Sequence, residues 1–190
     1  MSRKAVQLVD DPKKMKLLAD PLRREIIREI TNQPQTQSQL ARKLELSPSS
    51  TMHHLKKLRE AGLIKITRTK IGSYGILEKY YEPVADLFIE NYNKAPVALQ
   101  KYFLHTNIER LRGMLSTLQI LAEKKNKDIE ITREELKDMA QEIANRLPAV
   151  AKKYENTQTD ATRETLNIRI YSEVLKSVIK DSPWQELVET

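Results

Sequence analysis

No cysteine occurs among the 190 residues. That excludes disulfides, thiolate metal sites and thiol catalysis together. Aromatic residues are 5% of the chain, and there are only four glycines and three histidines. No stretch approaches the ~18 consecutive apolar residues of a membrane span, so no membrane partner is expected. The opening MSRKAVQLVDDPKK has no apolar segment of signal-peptide length, and a cytoplasmic location is the expectation. No Gly-rich loop opens a helix, and there is neither a nucleophile elbow nor an HExxH spacing. Adjacent acids such as Glu134 and Glu135 fit the start of a helix, where the macrodipole favours negative charge. Catalysis, a cofactor and a bound metal are therefore not expected.

Positive charge is plentiful and unevenly placed. The chain has 33 Lys and Arg against 26 Asp and Glu, net +7. Residues 1–82 hold 17 of the bases and 9 of the acids, net +8, and residues 83–190 hold 16 and 17, net −1. The first segment is thus the candidate polyanion-binding surface and the second is electrostatically neutral.

Helix starts are explicitly marked. Asp11-Pro12 and Asp20-Pro21 place an acidic N-cap before proline at the first helical position. The second of these helices, about 21–31, carries Leu22, Ile26, Ile27 and Ile30 on one face and Arg23, Arg24 and Arg28 on the other. Thr36 and Gln39 form a capping-box pattern before a short helix. Ser47-Pro48 opens another, which ends at Gly62. In LIKITRTKIGSYGILEKYY, residues 63–81, apolar positions recur every second residue and predict a hairpin of strands 63–69 and 74–81 with its tip at 70–73. Pro83 is expected to end it, with helices thereafter. From 96 to 124, Leu104, Ile108, Leu111, Leu115 and Leu118 alternate spacings of four and three, the seam of a bundle or coiled coil. Thr132 and Glu135 cap a further helix with a seam of Leu136, Ala140, Ile143, Leu147, Val150 and Tyr154, which Pro148 is expected to kink or split. A last helix, about 160–180, is expected to present Ile168, Tyr171, Leu175 and Val178. The fold class is mainly α with a small β-hairpin wing: a winged helix-turn-helix over 1–83, then a helical bundle or coiled coil over 84–190.

The helix after the turn carries the expected function. Thr51, Leu55 and Leu58 form its core stripe. The opposite face bears Ser49, Ser50 and His53 near the N-terminal end, where side chains reach base edges once a helix enters the major groove. Lys56 and Lys57 lie further along, at phosphate height. The hairpin adds Lys65, Arg68 and Lys70, with Ser73 and Tyr74 at its tip, as backbone or minor-groove contacts. Arg3 and Lys4 are expected in a mobile arm that adds phosphate contacts. His54 lies beside the stripe and is expected to be hydrogen-bonded between helices. Tyr92, Tyr102 and Trp184 are expected to serve packing, and whether they line an effector pocket is left open.

LADPLRREIIREI followed by LSPSSTMHHLKKLREAGLIKITRT resembles ArsR-type winged-helix regulators. With LEKYYEPVAD after the wing, it resembles their larger archaeal members with helical C-terminal regions. The resemblance covers about residues 10–90. It implies a homodimeric regulator of double-stranded DNA, commonly a repressor, with dimerisation candidates in Leu104, Ile108, Leu111, Leu115 and Leu118. The family's founding metal sensors place cysteines in the helix that here reads TQSQLARKLEL, so the thiolate sensor does not carry over. An architectural DNA binder and a winged-helix protein–protein module remain alternatives.

Overall fold

The structure is a computed structural model that describes residues 3–72, 75–127, 130–155, 162–180 and 185. Strand β1 (Lys4–Val9) leads into helices α1 (Pro12–Leu18) and α2 (Pro21–Asn32). A short strand β2 (Gln35–Thr36) precedes α3 (Gln37–Lys43) and α4 (Pro48–Glu60). The side chains of Asp11, Asp20, Thr36 and Ser47 each accept a hydrogen bond from a free amide of the first helical turn, and Thr36 and Gln39 form the full capping box. Between α3 and α4 the chain turns at Glu45, which takes φ 54°. Gly62, at φ 67°, ends α4 in the left-handed conformation that favours glycine. Met15, Leu18, Ile26, Ile30, Leu40, Leu55 and Leu58 close one core beneath these helices.

The wing is an antiparallel hairpin of β3 (Ile64–Ile71) and β4 (Leu77–Pro83), with β2 on the other edge of β4. The first strand runs two residues closer to the tip than the alternation predicts, and the second starts three residues further from it. Pro83 does not end the sheet structure. Residues Ala85–Glu90 form β5, which pairs in parallel with β1. This ladder joins segment 1–83 to segment 84–190 and is buried on both faces. Leu87 and Ile89 enter the core of the helical region, and Phe88 between them enters the core of the winged unit. The arm expected at Arg3 and Lys4 is therefore fixed: Lys4 starts β1, and Arg3 forms an ion pair with Asp86 and donates to the Thr31 carbonyl at 3.1 Å.

Helices α5 (Val97–Lys124), α6 (Arg133–Lys152) and α7 (Arg163–Ile179) follow, α6 packing against both neighbours. The α5 seam closes within the chain. Leu111 and Leu115 are buried in the helical core, and Leu104, Ile108 and Leu118 pack half-buried against it. The α6 seam is buried as expected, but α6 is not split at Pro148. Proline costs a helix interior about 3 kcal/mol. Burial of Leu147, Val150 and Ala151 around it, at about 1.5–3 kcal/mol for each large apolar side chain, exceeds that loss. Of the expected α7 seam, Tyr171 is buried and Leu175 and Val178 pack half-buried against the core, but Ile168 does not. Leu166, Ile170, Tyr171 and Val174 face the core, and Ile168 is 66% exposed. Among the described residues, no helix is long and apolar enough to cross a membrane.

Candidate nucleic-acid interface

Helix α4 lies on the winged core through Thr51, Leu55 and Leu58, each fully buried. Its geometry starts at Ser47, whose Oγ accepts from the Ser50 amide and shares a hydrogen bond with the Ser49 hydroxyl, both at 3.1 Å. Gln37 of α3 donates to the Pro48 carbonyl at 2.6 Å, fixing the start of α4 against the preceding helix. The outward face then presents Ser49, His53, Lys56 and Lys57 to solvent, with Ser50 half-buried on the flank. Lys56 lies 3.9 Å from Glu60, one turn on. Lys57 has no ion pair among the described residues. Met52 and Arg59 are also exposed on α4. Helical periodicity placed both off the core stripe, the only signal that would have found them.

His54 points the other way. It is half-buried, and its Nδ1 is buried with no hydrogen-bond partner, so the expected bond between helices is not made. Burial holds its pKa below the ordinary 6.5, against a smaller upward pull from Asp20.

The wing is shaped by an irregularity that alternation does not reveal. Ile66 pairs with Tyr81, but Arg68 pairs with Tyr80, so the register shifts at Thr67. Without this bulge, Arg68 and Lys70 would share the inward face of Ile64 and Ile66. With it, Lys65, Arg68 and Lys70 share the outward face, opposite Glu82, Tyr80 and Glu78. Two of these cations thus meet a neighbour that moderates them. Lys65 is 3.1 Å from Glu82, and the Arg68 guanidinium lies 4.3 Å from the Tyr80 ring centroid. Toward the tip the surface becomes apolar, with Ile71, Ile76 and Leu77 all exposed, Ile71 at 71%. These three were not among the expected site residues. Ser73 and Tyr74 lie outside the described residues, as does Trp184.

Among the described residues, no three His, Asp or Glu side chains gather closely enough to hold a metal ion. A family model described as a helix-turn-helix domain matches residues 18–67, from the end of α1 through α2, α3 and α4 into β3. No curated protein matches the chain. The fold and this match define a winged helix-turn-helix protein with a helical C-terminal region, and the helix-turn-helix domain supports a DNA-binding regulator.

Proposed function

We propose that the protein is a sequence-specific transcriptional regulator of the kind its sequence resembles, a dimeric repressor on an inverted-repeat operator. The observation that carries this is the outward face of α4: short polar and mid-length side chains at its N-terminal end, cations further along, and a well-capped, core-anchored helix beneath them. Ser49, Ser50 and His53 read base edges, and Lys56 and Lys57 meet phosphates. Lys65, Arg68 and Lys70 of the wing, together with Ser73 and Tyr74, lie along the backbone, and the apolar tip enters the minor groove. Segment 1–83 reads DNA and segment 84–190 sets the dimer.

Leu111 and Leu115 are consumed in the chain's own core, so a second copy pairs over the half-buried Leu104, Ile108 and Leu118 and the exposed apolar positions of α5, among them Ile120 and Leu121. Two recognition helices then stand about 34 Å apart, one turn of DNA.

The test is selection of genomic fragments by the purified protein, followed by footprinting and sedimentation. The expected result is one bounded, two-fold-symmetric footprint bound by a dimer. A ladder of equal protection would instead mean an architectural binder, which needs no polar, non-repetitive face at the start of α4.

A further inference from the structure

Two adjoining cavities open where the winged unit meets the helical region. One, of about 150 Å³, lies among β5, α5, α6 and α7. The other, of about 310 Å³, is bordered by α2, β5, α5 and α7. Arg24, Arg110 and Arg163 line both, so guanidinium groups from α2, α5 and α7 converge on one place.

Most of the charge here is already matched. Arg24 pairs with Glu90, Arg163 with Glu164 and Arg28 with Glu25, and Asp86 pairs with Arg3. Arg110 is the exception: it has no carboxylate partner among the described residues. Its guanidinium donates to the Tyr171 hydroxyl and lies 5.2 Å from the centre of that ring. The phenol brings no charge, since burial pushes its ionisation upward. One positive charge is left without a counter-ion at the cavity.

A second, independent observation comes from Asn107. It lines the smaller cavity, is only 7% exposed, and makes no side-chain hydrogen bond within the described chain. Asn167, which lines both cavities, makes none either. Neither carboxamide is sealed off from solvent, so both leave hydrogen-bonding capacity open toward the cavity.

We propose that these joined cavities bind a small organic anion, a carboxylate or phosphate ester, held by the fork of Arg110 and the carboxamides of Asn107 and Asn167. A planar guanidinium with free donors matches either oxyanion. A space of ~150 Å³ accommodates a molecule of about benzene's size. The two cavities together have room for a small organic acid or phosphate ester. It would also couple two parts of the molecule. Arg24 sits on α2, whose Ile26, Ile27 and Ile30 share a core with Leu55 and Leu58 of α4, while Arg110 and Arg163 belong to the helical region. Occupancy tightens the joint between recognition helix and helical region and so changes DNA affinity, a consequence that rests on the DNA-binding reading.

The test uses the full-length protein with succinate, glycerol 3-phosphate and inorganic phosphate at constant ionic strength, with sodium chloride as the control. Binding is read by calorimetry and by two-dimensional NMR. At least one probe is expected to bind saturably and to move the Asn107 and Asn167 side-chain amide signals. Arg110→Gln should weaken it roughly ten- to a hundred-fold. Arg110→Lys, which keeps the charge and loses the fork, should fall between the two and serves if the glutamine variant does not fold. Probes no better than chloride, or equal binding by the variants and the parent, would overturn the proposal. DNA affinity is measured in parallel. Saturable anion binding without any DNA binding upholds the cavity and sinks the DNA-binding reading, and the converse result does the reverse.

Discussion

Helix α4 and the wing both carry cations, but they hold them differently. On α4, Lys57 has no ion pair among the described residues and Lys56 only a loose one at 3.9 Å. On the wing, Lys65 faces Glu82 at 3.1 Å, Arg68 lies over Tyr80, and Lys70 stands across from Glu78. A bulge puts the wing's three cations on one face, and the partner strand then moderates Lys65 and Arg68. Charge counted along the sequence therefore overstates what the wing offers to phosphate. In the proposed DNA-binding reading, α4 therefore carries the interaction, while the wing contributes a partly neutralised rail and an apolar tip.

The largest expected effect comes from removing what supports the helix. Leu55→Ala should cost about 2–5 kcal/mol, because the side chain is fully buried under α4. Ile71→Ser at the wing tip should change stability by less than ~0.5 kcal/mol, since that side chain is exposed. Urea denaturation of the two variants checks the contrast. Next in size, Lys57→Ala should weaken binding to all sequences and reduce the slope of log affinity against log salt by ~1. Lys65→Ala should do so by clearly less, as Glu82 already offsets that charge. Equal slopes for the two would break the comparison.

Glu82→Gln sharpens it from the other side. Releasing Lys65 should tighten DNA binding modestly and steepen the salt dependence, measurable by fluorescence anisotropy. The smallest effect is on pH. His54 is held below its ordinary pKa of 6.5 in the folded chain, first by desolvation. The unfolded imidazole takes up its proton from about pH 6.5 downward, before the folded one does. The stability from keeping His54 neutral is thus fully present above that pH and is lost as pH falls toward the lowered folded value. His54→Gln should flatten this acid limb in denaturation curves.

Helices with local signals were legible in the sequence. Asp11, Asp20, Thr36 and Ser47 announce their helices because a cap is satisfied within three residues. The winged core followed from spacing alone, and so did the exposed positions of Ser49 and His53. Strand β5 was not legible. ADLFIE has only three consecutive apolar residues, too few to show a period that distinguishes strand from helix, and its partner lies about 80 residues away. The bulge at Thr67 was hidden for a similar reason, since register is a property of two strands. Arg3 read as a free basic residue because Asp86 comes near it only after β1 and β5 pair. On α7, Tyr171, Leu175 and Val178 pack against the core as their spacing predicts, and Ile168 alone of the expected four turns outward.

The central claim is that α4 distinguishes sequences and the wing does not. It is tested most directly by measuring the affinities of the parent, His53→Ala and Arg68→Ala for a selected fragment and for random DNA at one salt concentration. His53→Ala is expected to lose about 1–3 kcal/mol on the selected fragment and little on random DNA. Arg68→Ala should lose a similar, smaller amount on both. Equal losses for His53→Ala on the two DNAs would contradict it.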